Sequence, residues 1–407
     1  MSRKDTALLV TVEEGMGQSE TEDLAHGILF SIDTTNPDKV IFFGPEESKK
    51  TVESVEKQYL DEFGEEFDYY EFVYLEDVDD FKVYFEAFNE KIIELSDYKV
   101  VIDYTLGTKT MAMAAAFNSM FLQKKIYLVG TERQDGAVIR GTEKIITQNL
   151  YPIYDGIMIR LLKGLFNTNQ FNAGKAFIGS VTKANKDAYL KLFTAYYYFD
   201  NVDYKNANEY FDKKAFVKEW PEVKKQLGFN AKALHFLCEG EEDIRPYYVL
   251  ASLISNAKRR AEETKYDDAI ARLYRSLELI AQIRLKNEYG INTSDVDLTI
   301  LEQHGINRNF EADFKGVVRI SLIQGYELLN DFEDEIGKLY IENKHSFLAN
   351  IFTRNNSILA HGLNSQSEKE YNNIRDLVLK FSKVLNPNIN RVIRETEFPE
   401  FEIIMDF

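Results

Sequence analysis

The chain has 407 residues, of which 44% are apolar, 13% aromatic and 29% charged. That is ordinary globular usage, which excludes wholesale disorder and a fibrous repeat, and at about 150 residues per domain the length predicts two to three domains. The formal net charge of −18 repels nucleic-acid backbones at long range and excludes a generic DNA-coating protein, while leaving room for a small anion in a local pocket.

Cys238 is the single cysteine, so no intrachain disulfide forms and a reducing, cytoplasmic setting is expected. The apolar run Ala7–Val12 is too short for the apolar region of a signal peptide. No run approaches the roughly 18–20 apolar residues of a membrane helix, so no membrane association is expected.

Ala7–Val12 is predicted as a strand and Glu20–Ser31 as a helix. Lys39–Phe43 is a second strand, followed by a charged helix over Glu46–Tyr59. Tyr69–Leu75 and Lys99–Tyr104 are the third and fourth strands, separated by a helix over Asp79–Leu95. The Ala/Met-rich stretch Thr108–Leu122 is helical, and Lys125–Val129 is a fifth strand. Strands alternating with helices in this way predict βαβ units and a mostly parallel sheet covered on both faces. An Asp135-Gly136 turn then predicts a hairpin closing the sheet edge. Residues 61–80 hold ten acidic and no basic residues, the mark of a solvated surface. Past about residue 150 the pattern turns helical: Ile153–Phe166, Asp187–Phe199, Tyr247–Glu262, Asp267–Tyr289 and Phe347–Gly362. The expected organisation is a Rossmann-like α/β domain over 1–150, a connecting helical segment over 151–180, and an all-α domain over 181–407.

Two stretches carry chemistry. The fourth strand ends in Asp103-Tyr104-Thr105-Leu106-Gly107-Thr108-Lys109, and a helix starts at once. Backbone N–H groups, two hydroxyls and an ammonium gather there at a helix N-terminus, which favours phosphate or another anion. Gly107 permits close approach to a ligand. The loop after the first strand, with Gly15, Met16 and Gly17, opens on the same edge, as does the run from Gly130 to Arg133. The spacing is not that of a Walker A loop. A plain strand-to-helix connection, with Thr108 as N-cap and Lys109 in solvent, satisfies the same residues without a ligand.

The second stretch is FLANIFTRNNSILAHGL over residues 347–363. On one helix, Arg354 and His361 stand about 700° apart, on nearly one face and roughly 10 Å apart along the axis. Leu348, Phe352, Asn355 and Leu359 would form the core side. Gly362 would be a C′ stop. Arg plus His without a carboxylate cluster suits metal-free RNA cleavage, with His as general acid or base and Arg stabilising the phosphate; Asn355 and Ser357 would orient groups. A surface helix with an Arg and a terminal His is the bland alternative. His26, His235, His304 and His345 are scattered without metal-ligand spacing, so no metal site is expected.

Together the two stretches resemble a known family. Asp103–Lys109 is similar to the signature of CARF domains, the CRISPR-associated Rossmann-like sensors. Arg354-Asn355-x5-His361 resembles the R-[N/D/H]-x(4–6)-H motif of HEPN ribonucleases. Their order fits the CARF–HEPN effectors of type III CRISPR systems, and the segment Asp267–Leu285 resembles the Csm-type branch. The resemblance implies an allosteric, metal-independent endoribonuclease of antiviral defence: a homodimer that binds cyclic oligoadenylate through Thr105, Gly107, Thr108 and Lys109, with the loop around Gly15–Ser19 as a second contact. It would cut single-stranded RNA with Arg354 and His361 of both protomers and require no cofactor beyond the activating ligand. Leu106 stands where many family members have Gly, which implies a narrower pocket or an altered ring size. The alternative is a non-catalytic nucleotide sensor whose helical half is a dimerisation or partner-docking module. Acidity is concentrated in the sensor part: residues 1–180 carry −13 and the remainder −5, so the helical half is nearer to neutral.

Overall fold

The computed structural model describes residues 4–76, 79–134, 137–138, 140–182 and 185–403. The chain forms two compact units, Met1–Met158 and Ile159–Phe407.

In the first unit, strand β1 (Thr6–Thr11) is buried along its whole length. It pairs in parallel with β2 (Lys39–Gly44) on one side and β4 (Lys99–Asp103) on the other. Leu8 lies opposite both Val40 and Val101, and Leu9 opposite Ile41 and Ile102, so the central strand is apolar on both faces, as a covered parallel sheet requires. The order is β3-β2-β1-β4-β5-β8, with β3 (Tyr70–Tyr74) and β5 (Lys125–Gly130) parallel. The edge strand β8 (Lys144–Gln148) runs antiparallel to β5, Ile126 facing Gln148 and Gly130 facing Lys144. The expected hairpin is therefore present, extended by the small pair β6 (Arg133–Gln134) and β7 (Ala137–Val138); the turn at 135–136 lies outside the described residues.

Helices cover both faces. Helix α1 (Gln18–Thr35) and α2 (Lys49–Phe63) pack over Leu8, Val10, Val40 and Phe42. On the other face α3 (Phe81–Glu94) and α4 (Lys109–Phe121) pack over Leu9, Ile41, Val100 and Ile102. The Asp80 carboxylate caps α3 by accepting the Lys82 and Val83 N–H groups. Most of the acidic run 61–80 that is described is exposed. Helix α5 (Tyr151–Asn167) follows β8 in the chain.

The second unit is helical. The long helices Arg245–Glu262 and Tyr266–Tyr289 pack together, and Glu368–Leu385 packs against the second of them. Their apolar faces share one core through Leu250, Leu273, Leu277, Ile280 and Phe381. A separate aromatic nest forms where Phe398 packs against Phe171, Tyr196 and Phe199. Beside it Asp200 accepts a hydrogen bond from Arg259 Nε at 2.8 Å and also pairs with Arg260. The Arg259 guanidinium lies 3.6 Å over the Phe398 ring, and burial lowers its pKa to about 9. Among the described residues no helix is long and apolar enough to cross a membrane.

Candidate functional site

The strand order reverses between β1 and β4, and in open α/β sheets ligands settle outside the strand carboxyl ends at such a switch point. The turn after β4 is organised by Asp103. Its buried carboxylate accepts from Thr105 N–H at 2.8 Å, from the Thr105 hydroxyl and from the Ser31 hydroxyl of α1. Burial raises its pKa, against the pull of these three hydrogen bonds. The Thr105 hydroxyl also accepts the Val129 N–H at 2.7 Å, tying β4 to β5. Thr108 is the N-cap of α4 and accepts from Met111 N–H. Both hydroxyls expected at the helix N-terminus are thus engaged in building the turn, and what faces outward is backbone and Lys109. Lys109 is exposed.

Gly107 is required on two counts. Its φ is +102°, and a Cβ there would stand 2.7 Å from Met111 Sδ and 3.0 Å from Thr11 Cβ. Thr11 donates its hydroxyl to the Leu106 carbonyl, locking the turn against β1. The Leu106 side chain is buried in the core beneath α1 and forms part of the wall of a cavity there.

The loop after β1 is built by similar constraints. A Cβ on Gly15 would meet the Thr21 N and Oγ1 at 2.6 Å. Met16 is 96% exposed, and its N–H donates to Glu20 at 2.8 Å. Gly17 is extended and precedes α1. Gly15, Met16 and Gly17 line a cavity of about 790 Å³ between α1 and α2, with Lys50 and Lys57 opposite. Thr105 and Leu106 line a different cavity on the other flank of α1, of about 450 Å³. Gly130 ends β5, where a Cβ would press on Ile146 of β8. Arg133 lies on β6, and its side chain is outside the described residues. Arg140 pairs with Asp23 at 3.6 Å.

In the helical unit the structure corrects the expected single helix. The helix Lys344–Asn355 stops at Asn355, and His361 lies in a turn beyond it. Arg354 and His361 are not two turns apart on one helix. A knot over 356–364 folds the chain back instead: His361 N–H donates to the Asn355 carbonyl at 3.1 Å, and Asn364 N–H to the Asn356 carbonyl at 3.2 Å. The Asn356 amide also donates to the Phe352 carbonyl at 2.8 Å, closing the helix end. Gly362 is not a C′ stop. It sits where a Cβ would strike the carbonyl of Asn356 and stand 2.5 Å from its Cα.

The faces are also reversed. Phe347 and Ile351 are buried, with Phe347 against Tyr326, Tyr340 and Phe381. The residues expected in the core are open: Phe352 is 71% and Leu359 55% exposed, and Leu348 is partly so. With Leu363 at 89% and Ile358 at 60% exposed, an apolar collar surrounds the motif.

Arg354 continues the stripe of Phe347 and Ile351 and reaches the helix Tyr266–Tyr289. Its guanidinium lies 4.3 Å over the Tyr274 ring, and its Nη1 donates to the Asn355 side-chain carbonyl at 3.1 Å. His361 is exposed. Tyr274, which sequence reasoning missed, therefore positions the guanidinium. Its only signal is that it lies within the family-like segment Asp267–Leu285. Arg275 pairs with Glu278 at 3.3 Å, and Arg272 pairs with Asp268. Among the described residues no group of three or more His, Cys, Asp or Glu side chains is placed to hold a metal ion.

Residues 241–385 match the family model of the Csm6 HEPN domain. No curated protein matches the sequence. Among solved structures, Enterococcus italicus Csm6 bound to cyclic hexa-2'-fluoro-hexa-dAMP shares the fold, with a TM-score of 0.60 and 13% identity over 96% of this chain and 99% of that one. Can2 from Sulfobacillus thermosulfidooxidans, in complex with cyclic tetra-adenylate, aligns over 72% of this chain and 71% of its own at 12% identity, with a TM-score of 0.26.

Proposed function

We propose that this chain, a CARF–HEPN protein whose helical half carries a Csm6-type HEPN region, is a cyclic-oligoadenylate-activated endoribonuclease of type III CRISPR antiviral defence. The observation that supports it best is the knot that returns His361 to the end of the helix bearing Arg354. It brings the backbone of His361 back to the helix end where the half-buried Arg354 guanidinium lies on Tyr274 and donates to the Asn355 side chain.

In this reading one His361 removes the proton of a ribose 2′-OH, and that oxygen attacks the adjacent phosphorus. Arg354 stabilises the crowded negative charge, and the 5′-oxygen leaves with a proton from the second protomer's imidazole. The products are a 2′,3′-cyclic phosphate and a 5′-hydroxyl. No metal ion is needed for these steps. The collar of Phe352, Ile358, Leu359 and Leu363 supports a second copy as the surface that completes the site, since large exposed apolar patches mark contact surfaces.

The ligand would bind at the carboxyl edge of the sheet, with phosphates over the N-terminus of α4 at Gly107–Lys109 and with Gly15–Gly17 as a second contact. Activation is then a population shift, in which the ligand favours the dimer arrangement competent for cleavage. The test is cleavage of labelled single-stranded RNA in EDTA, with and without cyclic tetra- and hexa-adenylate. Ligand-dependent cutting supports the reading. Ligand binding without cutting supports a sensor with a non-catalytic helical half.

A further inference from the structure

The knot that carries His361 has two ends, and the first is fixed by packing. The helix Lys344–Asn355 enters it with Phe347 and Ile351 buried and with Arg354 over the Tyr274 ring. Inside the knot the backbone is cross-linked. Ile358 N–H donates to the Asn364 carbonyl and Asn364 N–H to the Asn356 carbonyl, both at 3.2 Å, and Gly362 N–H donates to the Ser357 carbonyl at 3.1 Å. These bonds join knot atoms to one another. The chain leaving the knot is open to solvent, with Leu363, Asn364 and Ser365 all exposed, and segments with few buried contacts open readily.

Asp267 ties that second end down. Its Oδ2 accepts the Gln366 N–H at 3.0 Å across 99 residues of sequence. Asp267 stands in the first turn of the helix Tyr266–Tyr289, seven residues before Tyr274. That spacing is about 700° and roughly 10 Å of rise, so the two residues share a face. The helix is held in place by Ile270, Leu273 and Leu277, which are buried in the core. One rigid face therefore grips both ends of the motif: Tyr274 lies under the guanidinium, and Asp267 holds the backbone beyond the imidazole. A carboxylate at a helix N-terminus is favoured by the helix dipole alone, and that suffices for Asp268, which pairs with Arg272 of its own helix. It does not account for the reach of Asp267 to Gln366. Hydrogen bonds to an ionised acceptor are about twice as strong as neutral ones.

We propose that Asp267 is a positioning residue for RNA cleavage, fixing through the Gln366 N–H where the His361 loop sits relative to Arg354. This role presupposes the ribonuclease reading above. Asp267 touches no reacting atom, so its effect falls on kcat and not on the affinity for RNA or for the activating ligand.

The test is steady-state cleavage of labelled single-stranded RNA by the full-length protein at saturating cyclic oligoadenylate, beside ligand titration and thermal melting. Asp267→Ala frees the Gln366 N–H and should lower kcat about tenfold, within the roughly hundredfold that an ångström of misplacement costs, with KM and ligand affinity unchanged. Asp267→Asn keeps an oxygen acceptor and should restore most of the rate. Asp268→Ala removes the neighbouring carboxylate and its pair with Arg272 and should lower Tm while kcat stays at the wild-type value. Gln366→Pro deletes the N–H itself and should match Asp267→Ala, and combining the two should add no further loss, as for two partners of one interaction. Asp267→Ala cutting at the wild-type rate, or Asp268→Ala losing as much kcat as Asp267→Ala, overturns the assignment alone. A wild type that leaves RNA whole at saturating ligand overturns the ribonuclease reading and this assignment with it.

Discussion

Gly362→Ala tests the geometry of the knot most sharply. The added methyl would strike the Asn356 carbonyl and stand 2.5 Å from Asn356 Cα. These are backbone atoms, so no side-chain rotation relieves the clash and the 356–364 turn must open. Two hydrogen bonds are directly at stake, His361 N–H to Asn355 and Gly362 N–H to Ser357, both 3.1 Å. At a solvated site each contributes about 0.5–1 kcal/mol, so the loss is about 1–2 kcal/mol. Phe347 and Ile351 beneath remain packed. A domain of this size loses about 2–4 °C of Tm per kcal/mol, so the melting temperature should fall by only several degrees. The imidazole, however, moves by an ångström or more, and a displacement of that order costs about a hundredfold in rate. The assay is single-turnover RNA cleavage at saturating cyclic oligoadenylate, beside calorimetric melting and ligand titration. The expected pattern is a large rate loss, a small Tm loss and unchanged ligand affinity. Wild-type cleavage at unchanged Tm would refute the knot as the device that places His361.

Tyr274→Ala should lower cleavage about tenfold without affecting ligand affinity, because it removes the ring under Arg354, whereas Tyr274→Phe should retain activity. Asp103→Ala strands the three donors that converge on its carboxylate and should cost about 3 kcal/mol in denaturant unfolding, while Asp103→Asn should be nearly neutral. The raised pKa of Asp103 gives a sign: the folded state holds this proton to a higher pH than the unfolded chain does. That contribution is complete below the unfolded value of about 3.9 and is lost as pH rises through the folded one, so Asp103→Asn should flatten the slope of stability against pH in that window. Asp200→Ala leaves Arg259, whose side chain is 7% exposed, without its carboxylate, and urea titration should register a loss of about 3–5 kcal/mol.

The Rossmann half was legible because β1, β2 and β4 are covered on both faces and read as unbroken apolar runs, a pattern that depends little on distant residues. The 347–362 segment misled for a local reason. Nothing before Gly362 is a strong helix breaker, yet Asn356 turns its side chain onto the Phe352 carbonyl, competing with the helix as such residues do. Once the helix is taken to run on, Leu348, Phe352 and Leu359 line up as a core stripe, whereas the real stripe is Phe347, Ile351 and Arg354. The Thr105 hydroxyl reads as a ligand donor until the sheet brings Val129 beside it. Tyr274 escaped for the same reason: it meets Arg354, a partner far away in sequence.

The central claim is that Arg354 and His361 form a ligand-gated RNA-cleaving site. Its most direct test is an EDTA-treated cleavage assay of wild type, Arg354→Ala and His361→Ala with labelled single-stranded RNA across a series of cyclic oligoadenylate concentrations. The wild type should cut only with ligand, leaving 2′,3′-cyclic phosphate ends, and each variant should lose at least about a hundredfold in rate with ligand affinity intact. RNA left whole by the wild type at saturating ligand, or cut equally by His361→Ala, would contradict it.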